Sequence, residues 1–229
     1  MNLFGWLVII IVFLLFVWVM SLLFNTSTTL NDYAVATAPT TISGKTLPVA
    51  TVNFAYSIWI YVDDWSFNYG KEKILFQRGS PSSPSIKVSL GAIDNTLTTS
   101  LKLTSGAGSS PAYSKCDVSD VPIQKWTNVV VSNTDKALDT YINGKLVNTC
   151  VASQLPATPA ESDDVTLCPV GFSGFTARFK YWQTGINPQE AWNIYKDGPG
   201  GNFLTSLFNS YKIQLSLIKG NETKASISI

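Results

Sequence analysis

From Leu3 to Phe24 the chain reads LFGWLVIIIVFLLFVWVMSLLF, a run with no charged residue. At about 1.5 Å rise per residue this makes a helix of roughly 33 Å, which matches a hydrocarbon core about 30 Å thick. Trp6 stands toward one interface, while Trp18 falls inside the span. A buried core helix of this length would need protein on every side. A cleaved secretory signal needs a cationic start, a shorter apolar stretch and a small-residue cleavage site. No Lys or Arg precedes Lys45, and the one Ala-x-Ala pattern, Ala34 to Ala36, follows the apolar run by ten residues. The expectation is a single-pass membrane protein whose first partner is the lipid bilayer. With no basic residue beside the span, the positive-inside rule assigns no orientation.

About 200 residues remain, enough for one domain with a substantial core. Sixteen basic and fifteen acidic residues nearly cancel and form no long run of either sign, so the footprint of a nucleic-acid binder is absent. The chain has no histidine, which excludes the Ser-His-Asp triad and His-ligated zinc. Cys116, Cys150 and Cys168 are too widely spaced for a paired-Cys zinc motif. No metal, cofactor or catalytic residue is expected.

The organisation expected after the 1–24 anchor is an extended stalk over 25–48, a folded domain over 49–202 and a tail over 203–229. The stalk reading rests on a Thr-, Ser-, Ala- and Pro-rich composition with little apolar periodicity. Asn25 and Asn221 begin glycosylation sequons. From Phe54 onward short strands alternate with turns: FAYSIWIYV, EKILFQR, SIKVSLG, NTLTTSLKLT, WTNVVVSN, ALDTYI, KLVNTCV and TARFKYW. Residues 54–62 are apolar on both faces, as in a strand covered on two sides, whereas Lys87 and Lys102 mark strands with one wet face. Asn143-Gly144 supplies the two positive-φ residues of a type I′ turn, predicting a hairpin with Ile142 opposite Lys145, Tyr141 opposite Leu146 and Thr140 opposite Val147. That register puts Cys150 on the face of Tyr141 and Asp139. Asn187 as N-cap, Pro188 at the first helical position, Glu190 to close a capping box, and Gly198-Pro199 as a stop predict a helix over 188–197. Ala191, Trp192 and Tyr195 share its inner side.

The strand beginning Trp126-Thr-Asn-Val-Val-Val131, the LDTYINGKLV hairpin and the closing GFSGFTARFKYW followed by NPQEAW resemble concanavalin A-like lectin/glucanase domains, laminin-G-like members above all. AYSIWIYVDDW, KEKILF, the CDV to WTNVV segment and EAWNIYKDG look like the membrane-anchored versions of this domain in large double-stranded DNA viruses of eukaryotes. The resemblance implies an all-β, two-sheet antiparallel jelly-roll sandwich, here with one short C-terminal helix and a preceding transmembrane helix. It further implies a minor capsid or membrane-associated virion component, located at an internal membrane of the particle and in contact with capsid proteins.

Glucanases of this fold need carboxylates two residues apart on one strand, and the chain has no E-x-D-x-E. Its adjacent acids, Asp63-Asp64 and Asp163-Asp164, point to opposite faces if extended, and read either as solvated turn acids or as a calcium cluster. Trp65 and Tyr69, in the loop DWSFNY, are the candidate carbohydrate-binding residues, the alternative being that they pack beneath a sheet edge. Cys116 and Cys150 are the expected disulfide, closing a loop of about 35 residues and leaving Cys168 free. The non-enzymatic reading is a structural or interaction protein; the alternative is a membrane-displayed lectin with glycans as partners, and the third is a degenerate glycoside hydrolase.

Overall fold

A computed structural model of the chain describes residues 10–16, 27–104, 111–200, 214–219 and 222–228. Leu3, Trp6, Trp18 and Phe24, with most of the expected span, lie outside the described residues, as do Asn25 and Asn221. Residues 10–16 are helical and all seven apolar side chains are exposed. No helix among the described residues is long and apolar enough to cross a membrane.

Two six-stranded antiparallel sheets pack face to face. The first orders β1 (Ser27–Val35), β12 (Ser173–Trp182), β3 (Phe54–Asp64), β8 (Thr127–Thr134), β9 (Ala137–Ile142) and β10 (Lys145–Val151). The second orders β2 (Thr40–Ile42), β11 (Val165–Leu167), β4 (Lys73–Ser80), β5 (Ser83–Leu90), β6 (Leu97–Lys102) and β7 (Tyr113–Val118). Alternate residues of β3, from Phe54 to Val62, enter the core between the sheets with Phe76, Ile86, Val88, Leu97 and Leu101. Tyr56 sits at its centre, its ring 5.0 Å from Phe76 and 4.9 Å from Tyr181. Tilted aromatic pairs of this kind each add about 0.5–1.5 kcal/mol beyond the area they bury.

The other face of β3 is covered by α1 (Pro188–Lys196), one residue shorter than expected. Ala55, Val130, Tyr141, Trp182, Ile186 and Ala191 form this second cluster. The capping box forms as the sequence predicts: Glu190 N donates to Asn187 Oδ1 at 2.9 Å, and Asn187 N donates to Glu190 Oε2 at 2.8 Å. At the other end Arg178, at a bulge in β12, donates to the carbonyls of Asp197 and Gly198 at 2.9 and 2.8 Å. Of the three residues expected inside, Ala191 is buried and Tyr195 stacks on Trp59, but Trp192 is 40 % exposed and lies over the hairpin turn at Gly144.

Two expectations are corrected. The 25–48 segment is not a stalk from Ser27 onward: β1 pairs along β12 and β2 along β11, with Leu30, Ala34 and Ala36 against the core. Without β1 the edge of β12 would present unpaired backbone groups. The hairpin begins in the expected register at Ile142–Lys145 and Tyr141–Leu146, but a bulge at Val147 then pairs Thr140 with Asn148 and Leu138 with Cys150. One inserted residue reverses every side chain beyond it. Cys150 therefore turns away from Tyr141 and packs against the main core, where it bonds Cys116 of β7 with the Cα atoms 5.8 Å apart. The bond joins the outer strands of the two sheets at one side of the sandwich. In the tail, β13 (Gln214–Lys219) and β14 (Glu222–Ser228) pair only with each other among the described residues.

Cys150→Ser releases a crosslink 34 residues long in sequence and is expected to cost roughly 3 to 4 kcal/mol by the chain-entropy estimate, read as a lower denaturant midpoint with a somewhat larger m, because the unfolded chain expands. Burial pushes Tyr56, Tyr141 and the free Cys168 thiol up to about 12. The fold holds these protons where the unfolded chain, titrating near 9 to 10, has released them. Their contribution is complete below about pH 9 and lost toward pH 12. Denaturant midpoints are expected to fall steadily between pH 9 and 11.

Candidate functional site

The loop after β3 turns sharply because Asp64 accepts from both Ser66 N, at 2.8 Å, and Ser66 Oγ, at 2.7 Å. Those hydrogen bonds hold its carboxyl below the usual range. Asn68 takes a left-handed φ of 52° and donates through Nδ2 to Val170 O at 3.1 Å. The two loop candidates separate here. Trp65 turns inward against the core, with Lys73 Nζ 4.4 Å from its ring centroid, while Tyr69 is 65 % exposed. They do not form one platform. Lys73 is buried, which lowers its pKa against the opposing pull of Asp64, and the face of Trp65 supplies cation–π stabilisation.

The remaining acids of interest are spoken for by backbone donors. Asp163 Oδ2 accepts from Ala160 N and Asp164 Oδ1 from Gly44 N, both at 2.9 Å, closing loops around β2 and β11. Among the described residues no group of three or more carboxylates or cysteines gathers in one place.

A surface the sequence reading missed lies on the outer face of the first sheet, on the part α1 leaves bare. Strand pairing aligns Val35 of β1 with Phe175 of β12, and Phe175 with Tyr61 of β3. Tyr61 then meets Trp126, just before β8, at 5.7 Å between ring centroids. Tyr33 extends the row, stacked on Phe175 at 5.7 Å. Tyr33 and Val35 are 57 % and 51 % exposed, while Phe175, Tyr61 and Trp126 are half-buried. Asp63, two residues after Tyr61 and at a bulge in the β3–β12 pairing, is exposed. Rigid aromatic side chains with apolar bodies and polar tips, fixed on strands, suit contact with another macromolecule. The signal was present at Tyr61, whose outward position follows from the β3 alternation. Tyr33 and Phe175 became neighbours only through the pairing of β1 with β12.

The profile of the concanavalin A-like lectin/glucanases superfamily matches residues 31–179. No curated protein sequence matches the chain. Among solved structures, the binding domain of botulinum neurotoxin DC in complex with rat synaptotagmin II is similar at TM-score 0.53 and 13 % identity, over 75 % of this chain and 46 % of that one. The ligand-binding domain of botulinum neurotoxin serotype D, in complex with N-acetylneuraminic acid, is similar at TM-score 0.58 and 12 % identity, with the same coverages. The serotype G binding domain is similar at TM-score 0.53 and 16 % identity, again over 75 % and 46 %. The chain thus spans less than half of these structures, and at such identities the likeness is one of fold.

Trp65→Ala is expected to destabilise the fold by about 2–3 kcal/mol, because it opens a gap beside the core and removes the ring from Lys73. Tyr69→Ala is expected to stay within about 0.5 kcal/mol of the parent. Denaturant unfolding of the two variants checks the contrast.

Proposed function

The chain belongs to the concanavalin A-like lectin/glucanases superfamily, and on that premise we propose that it is a non-enzymatic, membrane-anchored interaction protein that binds a neighbouring protein through the outer face of its first sheet. The observation that carries this is the aligned row Val35, Phe175, Tyr61 and Trp126, with Tyr33 beside it, on a rigid sheet. Binding rather than hydrolysis is also favoured by the acids, since Asp64, Asp163 and Asp164 each accept from a backbone N–H.

Anchoring rests on the uncharged run from Leu3 to Phe24 and on the exposure of its apolar residues 10–16. Because β1 starts at Ser27, few residues remain between the run and the sandwich. At no more than about 3.6 Å per residue they hold Ser27 within about 11 Å of the end of the run. The proposed protein is displayed close to the lipid rather than on a stalk.

In its finer form, carried by the resemblance to membrane-anchored viral domains, the proposal makes the chain a minor capsid or membrane-associated virion protein, its span in an internal membrane and its sandwich against capsid proteins. A membrane-displayed lectin is the second reading, favoured by the exposure of Tyr69. The test is fractionation of membrane-lined particles carrying the full chain or its Tyr33→Ser/Trp126→Ala variant. The parent is expected to copurify in fixed ratio and the folded variant to lose at least tenfold in incorporation. Equal incorporation, or glycan binding by the full chain abolished by Tyr69→Ala alone, would overturn the protein-contact reading.

A further inference from the structure

Arg78 is the largest fully buried side chain in the sandwich, 1 % exposed. Its position on β4, paired with Ile86 on one side and Val165 on the other, directs it between the sheets. Nη1 donates to Tyr56 Oη at 3.4 Å. Nε and Nη2, both buried, meet no acceptor in good hydrogen-bond geometry among the described residues, and the same guanidinium acts on the Tyr181 hydroxyl. The guanidinium carbon lies 5.8 Å from the Tyr181 ring centroid.

Arg78 lines a small pocket together with Tyr56, Tyr181, Ser85, Thr51, Pro156 and Pro159, with no carboxylate in its wall. Asp163 comes close to the neighbouring Gly79, and there it spends Oδ2 on Ala160 N. The ion pairs Lys87–Glu72 and Arg178–Asp197 leave Arg78 aside. A guanidinium cannot shed its charge, and an uncompensated buried ion is strongly destabilising.

The free volume beside Arg78, about 10 Å³, decides what could compensate it, for it takes one water-sized guest and is too small for a carboxylate or phosphate group. Burial keeps Tyr56 protonated to about pH 12, so its hydroxyl can donate while its oxygen accepts from Arg78. A water would satisfy part of the hydrogen bonding and leave the charge unbalanced. We infer that the cavity is a binding site for one monatomic anion of the halide class, held by Arg78 Nε and Nη2 with the Tyr56, Tyr181 and Ser85 hydroxyls as further donors.

The experiment follows unfolding of the full chain in non-ionic detergent at constant ionic strength as gluconate is replaced by chloride. A saturating upward shift of Tm is expected in the parent, weakened in Tyr181→Phe and lost in Arg78→Met. A second measurement stands even if Arg78→Met does not fold: in crystals of the parent grown in bromide, an anomalous peak is expected within hydrogen-bond distance of Nε and Nη2. Equal Tm in the two salts, or a water in the cavity with no bromide peak, would overturn the inference.

Discussion

Strand β3 must be covered on both faces, and the rest of the fold follows from how that is done. Its inner residues, Phe54 through Val62 in alternation, are covered by the second sheet. Its outer residues near the start, Ala55 and Trp59, are covered by one short helix that the capping box and Arg178 fix at its two ends. Nine residues of helix are about 14 Å long and cannot roof the whole strand. Where the roof stops, the outward side chain is Tyr61, and its neighbours on adjacent strands are aromatic too. The exposed row is thus the uncovered half of a face whose other half is core.

The disulfide serves the same architecture from the side. Cys116 and Cys150 lie on the strands that end each sheet, and joining them keeps one margin of the sandwich from splaying. At that margin the side chain of Asn148 also donates across, to Asp117 O at 2.9 Å. Both contacts depend on the Val147 bulge, because an unbroken hairpin would aim Cys150 at the helix side of the sheet.

Much of this was legible in the residues. The eight strands from FAYSIWIYV to TARFKYW, the double burial of β3, the N-cap box and the start of the hairpin register each rest on local chemistry, and local chemistry is what a sequence displays. What was hidden depends on distant partners. β1 is polar and bulged between Thr29 and Asn31, so its alternation is broken, and it becomes a strand only because β12 offers an edge. The bulge at Val147 has no turn residue to announce it; the inward pull on Cys150 comes from β7. Of the loop aromatics, Trp65 is claimed by the core and by Lys73, which no spacing in DWSFNY foretells. The row through Tyr33, Phe175, Tyr61 and Trp126 draws on segments nearly 150 residues apart and is visible only once the strands are ordered.

Hydroxyl-radical footprinting of the full chain tests most directly whether the uncovered face is where the protein meets its partner. Labelling would be compared between native membranes or particles and the purified chain in detergent. The account predicts that Tyr33, Tyr61, Phe175 and Trp126 lose most of their labelling in the native setting while Tyr69 keeps its own. Unchanged labelling along the row, with protection confined to Tyr69 and its loop, would contradict it.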